Sequence, residues 1–373
     1  KGRRRLRPNL PSRRLPMDEV FQRFLRQSGP VLCLDIGSVT QDVVLARSGV
    51  DTENWPRFVL PSPSQTIAQR IRELTLLRRD VWLYGAEMGG NFAPAVESCL
   101  KSGRNIYATR AAADSLDRNP AMVRQMGVVI TEVCPDGCVP VDLRDYSPQF
   151  WDNFLRSAGM PQPHLVLAAV QDHGIPSRGS NRASRREYFA KLLQTTPSPI
   201  NWMTRQPPAE MTRLVTLARE TGGPVADTLT AALLGALSER TVMQRSFRQG
   251  ITVINIGNEH LFAALVYRGT VRGLYECHTR EIGRDELMED LRDFRSFTPA
   301  DRFHTRSERG VIYGPVTGEG GTYEPTFILG PQRNNLSGYG TFIAPYGEMM
   351  TAGAMGLLWG HAILHSGRVT PAK

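Results

Sequence analysis

Two stretches of this sequence follow one pattern. "CLDIGSVTQDVVLA" (33–46) and "VINIGNEHLFAALV" (253–266) each run from an apolar strand through a polar residue, Ile, Gly and a polar turn into a second apolar strand. Alternating apolar residues broken by a Gly-bearing turn predict a β-hairpin. The second stretch is a long-range echo of the first, some 220 residues on, in a chain long enough for two domains. The elements between the hairpins agree. "RFVLPSPS" reads as a strand ended by proline, and "SQTIAQRIRELTLL" as a helix capped by Ser64. "VWLYG", "NIYAT", "MGVVIT" and "HLVLAAV" read as strands, and "AVESCLKSG" and "SPQFWDNFLRSAG" as helices, the latter capped by Ser147. "PVADTLTAALLGALSE" and "EMMTAGAMGLLWGHAIL" read as buried helices rich in small residues. Mixed strands and helices predict an α/β protein with mixed sheets.

The net charge of +9 is concentrated at the start, where "KGRRRLRPNLPSRR" (1–14) carries seven Lys or Arg and no acid. Residues 1–29 are expected to form a basic, disordered leader, with only a weak suggestion of nucleic-acid contact. No apolar run is long enough for a membrane helix, so no membrane association is expected. Five cysteines, mostly within apolar runs, point to a reducing cytoplasm rather than a disulfide framework.

The hairpin turns are where chemistry is expected. Gly37 lets backbone N–H groups approach an anion, and Ser38 and Thr40 add hydroxyls. Asp35 at the strand end would sit badly beside phosphate unless magnesium lay between them. Asp42 is expected to face the same cleft. Two such hairpins facing each other would clamp a polyphosphate.

This arrangement resembles the actin, sugar kinase and Hsp70 superfamily of ATPases. "LDIGSVTQDVVL" is similar to its first phosphate hairpin and "INIGNEHLFAAL" to its second. "FILGPQRNN" (327–335) is similar to its adenosine loop, and the two small-residue helices to its hinge helices. More narrowly, "DIGSVTQDVVLA", "VLPSPS", "MGGNFAPAVES", "VQDHGIPSRGSNR" and "GEMMTAGAMGLLWG" resemble a prokaryotic family labelled "putative pyruvate formate-lyase activating enzyme". The resemblance implies a two-lobed actin-like ATPase (ribonuclease H-like) fold with a nucleotide cleft between the lobes. It implies ATP and magnesium as cofactors, with Asp35 holding the metal. Asp35, Gly37, Ser38, Thr40, Gln41, Asn255, Gly257, Asn258, Gly330 and Pro331 would bind the nucleotide. Lobe I would span 30–224 and be completed by helix 347–366; lobe II would span 225–346. Two departures stand out. Asn255 replaces the Asp usual in the second hairpin, and the adenosine loop has one glycine, Gly330, followed by Pro331.

The loop "AVQDHGIPSRGSNRASRR" follows a core strand, where α/β sheets bind ligands. Asp172 is a candidate general base, Gln171 could orient water, His173 could shuttle a proton, and Asp42 joins them as a catalytic candidate. The alternative is that Asp172 caps the following turn. Arg178, Arg182, Arg185 and Arg186 read as a solvated helix face, with phosphate contact as the alternative. Cys134 and Cys138, in "CPDGC", lack the third cysteine of the C-x3-C-x2-C radical-enzyme motif, whose position holds Val141. That reaction is rejected. Two thiols flanking a turn are expected, with an iron–sulfur cluster shared across a homodimer as the alternative. His260, Cys277, His278 and His304 show no metal-ligand spacing.

Four readings of function stand: an ATP/Mg-binding protein coupling nucleotide to a protein partner or small substrate, a small-molecule kinase, a degenerate non-catalytic scaffold, and an ATP-driven redox activator.

Overall fold

The computed structural model describes residues 17–175, 181–304 and 309–366. The first lobe begins with α1 (Met17–Ser28), β1 (Val31–Ile36), β2 (Thr40–Ala46), β3 (Arg57–Pro61) and α2 (Pro63–Leu76). An inserted unit follows: β4 (Val81–Gly85), α3 (Ala93–Lys101), β5 (Ile106–Ala108), α4 (Arg110–Ala113), α5 (Pro120–Gln125), β6 (Val129–Ile130) and β7 (Val139–Leu143). The first lobe resumes with α6 (Pro148–Ser157), β8 (Leu165–Val170), α7 (Asn181–Thr195), α8 (Thr212–Thr221), β9 (Val225–Asp227) and α9 (Thr228–Ser238). The second lobe holds α10 (Arg240–Arg248), β10 (Ile251–Ile256), β11 (His260–Tyr267), β12 (Thr270–His278), α11 (Arg284–Arg295), α12 (Asp301–His304), β13 (Gly310–Tyr313), β14 (Thr326–Leu329) and β15 (Thr341–Phe342). The described chain closes with α13 (Ala352–Ser366). No helix among these residues is long and apolar enough to cross a membrane.

The first sheet has the order β3-β2-β1-β8-β9 and the second β13-β12-β11-β10-β14-β15. In both, an antiparallel three-strand meander is extended by two strands parallel to its first. Only the extra edge strand β13 breaks the match. The sequence echo is therefore a duplicated sheet, and the fold is the two-lobed actin-like ATPase (ribonuclease H-like) fold.

The crossing of α9 and α13 explains their composition. Every residue of α9 from Leu229 to Ser238 is buried, as are residues 352–362 of α13. Two helices can approach this closely only where side chains are absent. A Cβ at Gly356 would overlap the Ala231 carbonyl oxygen and the Gly235 nitrogen, and one at Gly235 would overlap the Ala352 carbonyl. Alanine normally gains about 1 kcal/mol over glycine inside a helix. Here overpacking against backbone outweighs that gain, so Gly356→Ala is expected to cost ~3 kcal/mol, read as a lowered denaturation midpoint. Equal or greater stability would show that the crossing can spread.

Three expectations need correction. Residues 17–28 are not leader but helix, with Val20, Phe21, Phe24 and Leu25 in the core. The Phe21 ring lies 5.6 Å from both Trp55 and Tyr346; of the expected leader, residues 1–16 fall outside the described residues. The boundary at 225 assigns β9 to the second lobe, whereas β9 pairs with β8 in the first sheet. The cap of α2 is Ser62, whose hydroxyl accepts from the Gln65 amide, rather than Ser64.

The insertion was not anticipated as a separate sheet. Its order is β6-β5-β4-β7, and every pairing is parallel. One face packs against α2, α3, α4 and α5 through Ala68, Ile71, Val96, Cys99, Ala112 and Val123, forming a core distinct from that of either lobe.

Candidate functional site

The two hairpins meet across a cleft of about 400 Å³, within the usual range of small-molecule sites. Their turns are built alike. The Gly37 amide donates to the Thr40 carbonyl at 2.8 Å, and the Gly257 amide to the His260 carbonyl at 3.0 Å. The Ser38 carbonyl accepts from four donors. These are the Ser62 hydroxyl (2.9 Å), Asn91 Nδ2 (3.2 Å), the Ser64 hydroxyl (3.3 Å) and Gln65 Nε2 (3.4 Å). The Ser38 and Val39 amides donate to no acceptor among the described residues, and both residues line the cleft. Consecutive unpaired amides at a turn suit an anion.

The opposed residues within each hairpin differ. Asp35 lies directly across from Asp42 on the neighbouring strand. The equivalent pair in the second hairpin is Asn255 and Phe262, so both carboxylates belong to one lobe. Asp35 Oδ1 and Asp42 Oδ1 are buried and accept no hydrogen bond. Burial pushes the Asp35 carboxyl well up, and Asp42 and Asp227 push it further. Burial lifts Asp42 to about 7 against the pull of the Thr40 hydroxyl, with Glu348 adding to the rise. Glu348 itself accepts from the Met350 (2.8 Å) and Thr351 (2.6 Å) amides just before α13. Gly353 sits against Asp35, where a Cβ would overlap Oδ2. Unsatisfied buried carboxylate oxygens are costly unless a proton or cation meets them.

Of the sequence candidates, Asp35, Gly37, Ser38, Thr40, Asp42, Gln171, Asp172, His173, Asn255, Gly257, Asn258, Gly330 and Pro331 all line the cleft. Gln41 does not. It is buried on the other side of β2, its amide donating to the Pro61 carbonyl at 3.0 Å. Asp172 reaches the cleft with its oxygens already engaged. Oδ1 accepts from the Gly174 amide (2.8 Å) and Oδ2 from the Leu214 amide in the first turn of α8 (2.9 Å). Burial raises its pKa and these bonds oppose the rise. Asp172 thus caps the following turn and ties its loop to α8. The His173 ring lies 5.9 Å from His260 across the cleft.

The arginine cluster is also corrected. Arg178 lies outside the described residues. Arg185 is buried, not solvated, and joins the lobes: it pairs with Asp227 at the start of α9 and, at 2.8 Å, with Glu276 on β12.

Several residues at this site were missed. Arg213 pairs with Asp145 (2.6 and 2.7 Å) and donates to the Gln171 carbonyl (2.7 Å). Arg118 donates to Glu87 (2.5 Å), which also accepts from the Thr212 hydroxyl (2.5 Å). The loop Met88–Asn91 follows strand β4 and forms a wall of the cleft; a Gly–Gly pair after a parallel strand was its signal. Among the described residues, the arginines lining the cleft, Arg118, Arg185 and Arg213, are thus each matched by a carboxylate.

On the second-lobe side Gly330 has φ +102°, and a Cβ there would overlap Ile256 backbone. This lets the 330–332 turn lie on the end of β10, with the Gln332 amide donating to the Ile256 carbonyl at 3.0 Å. Beyond it is a cavity of about 360 Å³ lined by Ile256, Leu261, Thr279, Ile282, Arg284, Leu287, Asn334 and Asn335. Leu261 is shared between cavity and cleft.

A family model described as "Putative pyruvate format-lyase activating enzyme (DUF1786)" matches residues 88–335. No curated protein matches the chain. Among solved structures the chain is similar to an Aquifex aeolicus member of the Ppx/GppA family, at 8% identity and a TM-score of 0.26, covering 81% of this chain and 66% of that one. It is similar to a PilM–PilN type IV pilus biogenesis complex, at 10% identity and a TM-score of 0.33, covering 89% and 98%. It is also similar to MreB 5 of Spiroplasma citri bound to AMPPNP, at 10% identity and a TM-score of 0.31, covering 91% and 96%.

Proposed function

The chain belongs to the family described as "Putative pyruvate format-lyase activating enzyme (DUF1786)", and from that premise we propose that it is a nucleotide-binding protein that holds ATP with magnesium in the cleft. The observation that carries this reading is the matched pair of hairpin turns on one cleft, one of them flanked by two carboxylates that each leave a buried oxygen unsatisfied. Among the described residues no group of three or more His, Cys, Asp or Glu is placed to hold a metal. Two carboxylates with water and phosphate oxygens are the donor set that magnesium uses, so Asp35 and Asp42 fit it. The bound metal would neutralise phosphate charge. The protein's own part is to present the Ser38 and Val39 amides, exclude water and keep its arginines paired elsewhere. The neighbouring 360 Å³ cavity, with Asn334 and Asn335, suits the base and ribose.

The radical chemistry implied by the family's name finds no donor set here. Cys134 and Cys138 flank a turn, while Cys33, Cys99 and Cys277 are buried elsewhere. Among the remaining readings, binding coupled to a partner or small substrate is favoured over a kinase. Asp172 is bound to backbone amides, and Phe262 occupies the position matching Asp42.

Calorimetry with ATP and magnesium tests the proposal. Micromolar binding is expected in wild type, with loss of at least about hundredfold, some 2.7 kcal/mol, in Asp35→Asn. A folded wild type that binds nothing would sink the reading. ADP release that required an added hydroxyl acceptor would favour the kinase.

A further inference from the structure

Two histidines far apart in the chain come together where the lobes face each other. His173 lies just beyond β8 of the first sheet, and His260 opens β11 of the second. Their ring centres are 5.9 Å apart. His260 stands where the first hairpin has Thr40, because the Gly257 amide donates to its carbonyl as the Gly37 amide does to that of Thr40. The hairpin that lacks counterparts of Asp35 and Asp42 therefore carries an imidazole at its turn. Two imidazoles on one ion, each at a metal–nitrogen distance of ~2.1 Å, have ring centres about 5–6.5 Å apart, and the observed spacing falls inside that range.

A void of about 30 Å³ is lined by both histidines together with Arg185, Arg186, Glu276 and Cys277. One water-sized group needs ~10–15 Å³, so an ion with a bound water fits. Cys277 packs its side chain in the second-lobe core, on the face of β12 opposite Glu276 and His278. Charge does not decide the site. Arg185 is held between Asp227 and Glu276, and Asp172 accepts from the Gly174 and Leu214 amides. Arg186 at the void and Glu259 beside His260 are opposite in sign. The imidazoles are left to select the ligand, and imidazole suits zinc, copper and nickel rather than magnesium.

His278 is a poor third ligand. It stands across from His260 on β12, with ring centres 5.2 Å apart. Its Nδ1 accepts from the Arg280 amide at 3.4 Å, so the neutral ring carries its proton on Nε2 and offers an ion no lone pair there. This agrees with the absence, among the described residues, of any group of three or more His, Cys, Asp or Glu placed to hold a metal. Two protein ligands leave positions open to water or to a ligand in the cleft, unlike a closed structural zinc site. We propose that His173 and His260 bind one zinc ion between them, clipping the first lobe to the second. This ion is separate from the magnesium assigned to Asp35 and Asp42.

Calorimetry of zinc against the full chain, stripped with EDTA and free of nucleotide, tests this independently of ATP. One ion per chain should bind in the micromolar range or tighter. His173→Gln and His260→Gln should each weaken binding by at least about tenfold, the least that disturbing the surroundings of a metal ligand usually costs. His278→Gln and the paired Cys134→Ser, Cys138→Ser variant should bind as wild type does. Zinc should raise the melting temperature of wild type but of neither His173→Gln nor His260→Gln. Cobalt in place of zinc should give visible bands and no thiolate charge-transfer band. A wild type that takes up no zinc would overturn the proposal. So would uptake that both histidine variants keep, or that the cysteine variant loses. A thiolate band on cobalt would overturn it in wild type alone, whatever the substitutions do to folding.

Discussion

Asp42→Asn should make the protein more stable at pH 8 in the absence of ligand, while weakening the magnesium and nucleotide binding proposed for the cleft. The direction follows from the raised pKa. Asp42 climbs from 3.8 to about 7 on folding, so the folded state binds the proton more tightly than the unfolded chain does. Wild-type stability is therefore unaffected by this group below about pH 4. It falls as pH rises through about 7, and the full penalty stands above that. At about 1.4 kcal/mol for each tenfold step the upper bound is ~4 kcal/mol, and solvent at the cleft mouth reduces it. Asn is isosteric and carries no charge to desolvate. Denaturant midpoints from pH 5 to 9 should show the variant gaining on wild type with rising pH. Magnesium should narrow that gap, since a cation relieves in wild type what the substitution removes. Parallel curves would mean that Asp42 titrates normally and that the cleft is wetter than its buried oxygen indicates. The cost is local to the function: a fold optimised only for stability would not place Asp35 opposite Asp42.

The hairpins were legible because their signal is local. Alternation of period two marks the strands, and a glycine marks the turn. The same alternation assigns Gln41 correctly: Thr40 and Asp42 share a face and Gln41 has the other, so its place in the β2–β3 contact was readable but passed over. The duplication emerged from comparing two segments, not from either one. The inserted sheet was harder. β5 and β6 are very short, and aromatic residues on both "VWLYG" and "NIYAT" look like core whether or not anything covers them. Asp172 shows a different limit, because its two backbone partners come from its own turn and from α8, more than 40 residues on. No periodicity reveals which oxygen a distant amide will occupy.

Arg185 marks that limit most sharply, since "RASRR" reads as a solvated helix face while its fourth residue becomes a buried cross-lobe tie. Its guanidinium holds Asp227 at the N-cap of hinge helix α9, Glu276 on β12 and the Asp172 carbonyl at 3.1 Å. Asp227 in turn accepts from the Leu229 and Asp172 amides. Removing the cation from such a set leaves a buried carboxylate uncompensated, which costs ~3–5 kcal/mol. Arg185→Met is therefore expected to lower stability by about that much, and salt should not mask the loss, because a buried pair is poorly screened. Lysine should rescue little: one ammonium cannot serve both carboxylates with the planar fork used here. Adding Asp227→Asn to Arg185→Met should recover part of the loss, which separates a stranded charge from lost packing against Phe189, over whose ring Arg185 lies at 5.0 Å. If Arg185→Met and Arg185→Lys both unfold at the wild-type denaturant concentration, the tie contributes nothing net. If the double variant recovers nothing, packing is the larger part. Because the tie spans both lobes, its loss should also raise protease sensitivity at the hinge segments 227–228 and 348–352, and bound nucleotide, if it closes the same cleft, should reverse that increase.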